Sequence, residues 1–170
     1  MAQGYVNFSM RVTGTVVEHV YLGNVASGPR IEGSGYSATL WAVNGAGQPE
    51  SSLTPVPGSL TSFRTGATLG GTPAPLVLQV PGVPAGGTGT FQIRAWDNLN
   101  GTLSSYAAAL AAGSPAGKSD LFDVSNLGDG GQNLPADFAN VRSFALTPEP
   151  GTTALLGLGA MGLWLVRRKK

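Results

Sequence analysis

The 170-residue chain contains no cysteine, a single histidine and few charges: 11 % of its residues are Asp, Glu, Lys or Arg. Without cysteine there is no disulfide scaffold, thiolate zinc site or thiol nucleophile. One histidine, His19, leaves little for a histidine metal site or a Ser-His-Asp triad. A residue of the surface or half-buried part of a strand is the plainer reading of His19, which sits among Val16, Val17, Val20 and Tyr21. Basic charge is scarce outside one place. Arg167, Arg168, Lys169 and Lys170 are four of the ten basic residues, so the rest of the chain, with six basic against nine acidic groups, is net −3. That balance excludes a nucleic-acid footprint on the body.

What the chain has in quantity is glycine (26) and proline (12), with an apolar fraction of 42 %. The apolar content is that of a folded domain, and the glycine and proline point to short strands joined by frequent turns. Val6, Phe8, Met10 and Val12 alternate with polar residues, the period-two mark of a half-buried strand. Further strand candidates are residues 15–22, 35–43, 60–64, 76–80, 90–97, 119–125 and 140–147, while 105–112 (SYAAALAA) is the one helical candidate. Asn44-Gly45 and Asn100-Gly101 have the chemistry of tight hairpin turns. About eight strands at this spacing predict an all-β chain, an antiparallel β-sandwich of jelly-roll or immunoglobulin-like type. Residues 1–146 form the expected domain and 147–170 a separate tail.

The tail is of different material. Residues 152–166 hold no charge and run directly into Arg167-Arg168-Lys169-Lys170. An apolar, glycine-rich segment closed by cations has the character of a short transmembrane helix whose basic end is the cytoplasmic anchor. Fifteen residues rise only about 22 Å, so length alone leaves a buried helix open. The GLGAMG at residues 157–162 matches G-x-G-x-x-G literally, but it follows no strand and no acidic residue comes after it. A dinucleotide site needs both, so the glycines are read as close-packing positions in a bilayer helix and no cofactor is expected.

Pro148-Glu149-Pro150, the apolar helix and the basic end, in that order, resemble the PEP-CTERM sorting signal of biofilm-forming Gram-negative bacteria. The resemblance implies that Pro148, Glu149 and Pro150 are recognised by an exosortase, a membrane transpeptidase. The enzyme would cleave there and pass the protein to the cell surface or extracellular matrix after transient inner-membrane anchoring. AQGYVNF (2–8), FRTG (63–66), QIRAWD (92–97) and GKSDLFDV (117–124) are similar to stretches of small PEP-CTERM proteins from Verrucomicrobia-like bacteria. If the basic end stays cytoplasmic, the body lies outside, which requires an export signal. Met1–Ser9 has no basic region followed by an apolar stretch, so a leader preceding Met1 in the gene is expected.

Candidate chemistry in the body is sparse. Asp97-Asn98-Leu99-Asn100-Gly101 faintly has the form of a calcium loop, but Leu99 stands at a ligand position and residue 108 is Ala where the bidentate Glu belongs. Asp120, Asp123 and Asp129 could meet only through folding, and Glu18, Glu32 and Glu50 show no pair of the kind glycoside hydrolysis uses. Strict alternation along 90–97 puts Trp96 on the face opposite Phe91 and Ile93. Trp96 is thus the candidate exposed aromatic, with Trp41 a second, for stacking on a sugar; a Trp packed in a second layer is the plainer alternative. The expectation is a non-enzymatic surface protein, structural or adhesive within extracellular polymer and capable of self-association. A carbohydrate-binding module on exopolysaccharide is the second reading.

Overall fold

The computed structural model describes residues 2–12, 14 and 16–148; the predicted helix 152–166 and the basic end lie outside the described residues. The body is mostly β, with antiparallel pairing dominant. Nine residues of β5 (Tyr36–Asn44) pair along their full length with nine of β9 (Gly89–Asp97). The short strands β6 (Thr54–Pro55) and β7 (Thr61–Ser62) border β5. β10 (Ala116–Lys118) and β11 (Phe122–Val124) border β9. A second antiparallel pair joins β1 (Gln3–Phe8) to β8 (Leu76–Pro84). A short hairpin is formed by β2 (Arg11–Val12) and β3 (Val16–Val17).

Alternation builds the core. β1 turns Val6 and Phe8 inward, β8 Leu78 and Val80, β5 Ala38, Leu40 and Ala42, and β9 Phe91, Ile93 and Ala95; all belong to one buried cluster. Phe138, from the irregular segment before Phe144, packs into it edge-on against Phe122 (5.1 Å between centroids) and tilted against Phe91 (5.6 Å). Burying so much aromatic and aliphatic area, at about 25 cal/mol per Å², is the main drive for the fold.

Several sequence expectations change in detail. Of the predicted strand 119–125 only β11 forms, because residues 119–121 bulge opposite β9 and divide it from β10, which precedes the predicted run: Ser119 receives the Ile93 amide on its hydroxyl (3.0 Å) and donates its own amide to the Ile93 carbonyl (2.9 Å). The predicted run 15–22 divides into β3 and β4 (Val20–Leu22). Asn44-Gly45 does not make a two-residue hairpin, since the next strand begins only at Thr54; Asn100-Gly101 belongs to a left-handed run, with Leu99 at φ 47°, Asn100 at 56° and Gly101 at 91°. The helix is found as α1 (Tyr106–Ala111), its first turn capped by the Ser105 hydroxyl accepting from the Ala108 amide at 3.1 Å.

One pairing runs against the expected antiparallel scheme. β12 (Phe144–Leu146) lies parallel to β4, with Phe144 opposite Val20 and Leu146 opposite Leu22. Its other side meets β10, where Ala116 and Thr147 exchange amide–carbonyl bonds of 3.2 and 3.1 Å. The end of the body is therefore held on both edges.

Candidate functional site

The expected sorting element begins where β12 ends. Leu146 is fully buried, Thr147 is the last of the described residues bonded to the body, and Pro148 is exposed. Gly23 adds a further clamp, donating its amide to the Leu146 carbonyl at 2.8 Å. Close approach of β10 and β12 depends on Gly117: a Cβ there would stand 2.2 Å from the Ala145 carbonyl oxygen. Glu149, Pro150 and Arg167 to Lys170 lie outside the described residues. Proline at 148 has no amide to continue a ladder, so β-pairing has a built-in stop where the Pro-Glu-Pro begins.

The second expected site is overturned in part. Trp96, the candidate exposed aromatic, is only 1 % exposed, so the plainer alternative of a packed Trp holds. Strict alternation does place it opposite Phe91 and Ile93, but α1 covers that face. Ala109, Leu103, Tyr106 and Leu110 close a second small cluster over the indole, whose Nε1–H donates to the Leu103 carbonyl at 2.9 Å. No ring face remains for a sugar, so Trp96 is a packing residue.

Trp41, across the ladder on β5, is half-buried and carries the Arg94 guanidinium at 3.7 Å from its ring centroid. Arg94 is oriented by its Nε–H donating to Gln92 Oε1 (2.9 Å) and lies 3.4 Å from Glu50 Oε1. Lys118 donates to both Glu50 oxygens (2.7 and 2.8 Å), and this contact, with Gln92 and Arg94 adding to it, holds the Glu50 carboxyl below its usual range. Trp41, Glu50, Ser51, Leu53 and Arg94 line a shallow cleft of about 420 Å³, and Glu50 also borders a depression of about 350 Å³ with Gln92, Lys118 and Asp120. Sequence reasoning found Trp41 but not its partners. Glu50 and Lys118 are distant in sequence: the register of β9 and β10 sets Lys118 beside Arg94, and the short 3-10 turn between β5 and β6 brings Glu50 to them.

The remaining candidates are wired into the backbone. His19, buried, donates Nδ1–H to the Gly70 carbonyl at 2.8 Å. Its neighbours Ser143 and Glu18 suggest a triad by residue type only. The Ser143 hydroxyl receives the His19 backbone amide and donates to Glu18, so it bonds no imidazole nitrogen. Burial, with Arg30 nearby, lowers the His19 pKa from 6.5. In the loop with calcium-like spacing, Asp97 Oδ1 accepts from the Leu99 amide and Asn98 Oδ1 from the Gly101 amide, so these oxygens cap a turn. Asp123 ties the Gly47 amide and the Thr90 hydroxyl, Asp129 caps residues 131–133, and Glu32 accepts from the Gly66 amide. Among the described residues no three His, Cys, Asp or Glu side chains converge as metal ligands.

No curated protein and no solved structure matches the chain. Residues 146–170 match the PEP-CTERM protein-sorting motif. That span starts on the last buried residue of β12 and takes in the whole expected tail. The chain thus carries a PEP-CTERM protein-sorting motif, which implies an exosortase as its processing partner and a cell-surface or extracellular destination.

Proposed function

We propose that the protein is an exosortase substrate whose β-rich body, a small two-layered sandwich, serves without enzymatic activity as a structural or adhesive unit of extracellular polymer. The supporting observation is the junction: a sorting motif beginning on a strand clamped between β4 and β10. Such a junction leaves a folded cargo intact when the tail is exchanged at Pro148-Glu149-Pro150. The apolar segment 152–166 holds the chain in the inner membrane until then, with the basic end as its stop. In the producing bacterium, the wild-type chain is expected in the surface or matrix fraction. A variant with Pro148, Glu149 and Pro150 all changed to Ala is expected to remain in the membrane fraction. An unchanged distribution of that variant would remove the motif from the explanation.

A carbohydrate-binding role is the second reading, favoured by the Trp41 cleft. Arg94 covers one face of the Trp41 ring, and the remaining apolar surface of the ring lies beside the planar hydrogen-bonding groups of Arg94, Glu50 and Gln92, the combination that sugar hydroxyls and ring faces need. Binding to exopolysaccharide of the producing strain, lost in Trp41→Ala while folding is kept, would support it. Equal binding by both forms would end it.

A further inference from the structure

β1 and β8 form a two-stranded pair whose two outer edges are treated differently. On the β1 side, the Tyr5 amide donates to the Gly128 carbonyl (2.9 Å), Gly128 returns the bond to Tyr5 (3.0 Å), and the Asn7 amide donates to the Ala136 carbonyl (2.9 Å). Those bonds fix the phase of the ladder. Tyr5 and Asn7 face away from β8, so Gly4, Val6 and Phe8 face it, opposite Val80, Leu78 and Leu76. On β8 the intervening residues, Val77 and Gln79, then direct their amides and carbonyls to the outer edge, where no strand among the described residues pairs with them.

Between Pro75 and Pro81 this edge carries no charged protection. Val77 is 63 % exposed, Gln79 is exposed, and no charged residue occurs between Arg64 and Arg94. Natural sheets commonly blunt such an edge with lysine, a bulge or a covering loop. Here the limits are set by prolines: Pro75 before the segment and Pro81 after it cannot donate to a ladder. The usable template is Leu76–Val80 and nothing longer.

We propose that this edge pairs with the same edge of a second copy, antiparallel about a twofold axis at Leu78, so that Val77 of each copy lies opposite Gln79 of the other. In that register both outward-facing residues of each strand find partners, and the two pairs exchange four amide–carbonyl bonds. The result is a four-stranded sheet in the order β1, β8, β8, β1. A twofold contact is self-complementary and closes on itself. With the prolines terminating the template and the outer edge of β1 already covered, pairing ends at a dimer and does not grow into a fibre. A short seam of this kind responds to crowding, and a chain concentrated on a cell surface or in a matrix meets that condition.

The test is hydrogen exchange of the full-length chain with sedimentation over the same concentrations. Exchange of the Val77 and Gln79 amides is expected to slow by about tenfold or more between roughly 10 µM and 1 mM, in step with a shift from monomer to dimer. Gln79→Pro removes a donor that bonds nothing within the fold, and it is expected to abolish the slowing at the Val77 amide and the shift to dimer. Val77→Lys, at a solvent-facing position, should do the same with its melting temperature unchanged. Association that persists in both variants, leaving the residue 77 amide unprotected, would place the contact elsewhere, for example on the apolar tail, and overturn the proposal. Protection that is independent of concentration would overturn it too, because the edge would then be covered within one copy.

Discussion

Gly117→Ala is the sharpest perturbation of the junction between body and tail. Gly117 carries no left-handed φ, so alanine suits its backbone, and on chain entropy alone the change should stabilise by about 0.4–1 kcal/mol. Sterics reverse the sign. The new Cβ would lie 2.2 Å from the Ala145 carbonyl oxygen and 3.0 Å from its carbon, both backbone atoms that cannot swing aside. β12 must separate from β10, straining the strand by about 1–3 kcal/mol. It would also weaken the two Ala116–Thr147 bonds, each contributing about 1 kcal/mol. The net expectation is a loss of about 2–3 kcal/mol, a large part of the roughly 5–15 kcal/mol that holds a domain. Urea denaturation measures the loss, and faster exchange of the Thr147 amide locates it. Gly35→Ala is the control, since its Cβ would meet only Asn100 Oδ1 at 3.9 Å, and it should be neutral or slightly stabilising. If Gly117→Ala stayed within about 0.5 kcal/mol of wild type, the close β10–β12 contact would be refuted.

Trp96→Ala should cost about 3–5 kcal/mol, the range for emptying a buried aromatic site, and denaturant titration would show it. A cost under about 1 kcal/mol would mean that α1 does not seal the indole. For pH, the lowered His19 pKa means that the unfolded chain binds a proton more readily than the folded one. Stability is then full above 6.5 and falls as the pH drops from there towards the folded-state value. The lowered Glu50 pKa adds a separate loss beginning below about 4.5, discounted for its partial exposure. Unfolding free energies between pH 8 and 5 should decline in the wild type and flatten in His19→Asn; a wild-type profile level across that range would contradict the assignment.

Much of the fold was legible because period-two alternation reports which strand face is buried. β5, β8 and β9 overlap predicted runs, the run of Val6, Phe8, Met10 and Val12 divides at Ser9-Met10 into β1 and β2, and the SYAAALAA stretch gave α1 with Ser105 as its cap. What escaped was set by contacts remote in sequence. Alternation assigned Trp96 to the correct side of β9, but exposure depended on whether another element covered that side, and a six-residue helix did. The parallel β4–β12 pair leaves no local trace either, since Val20–Leu22 and Phe144–Leu146 read like any edge strands. Phe138, within a Pro-Ala-Asp-Phe-Ala stretch of no regular period, gave no sign of joining the aromatic core. The sorting tail was the most legible part, because a signal read by a receptor is written in consecutive residues and needs no folding to bring its parts together. The Trp41 cleft was the least, with Arg94 and Lys118 set side by side by strand register and Glu50 brought in from the turn between β5 and β6.

Intact-mass analysis of the protein recovered from the cell surface or matrix bears most directly on the sorting motif at residues 146–170. The expected mature chain ends at or near Pro148-Glu149-Pro150, with residues 152–170 gone. Surface protein that still carries Arg167-Arg168-Lys169-Lys170 would contradict exosortase processing of this chain.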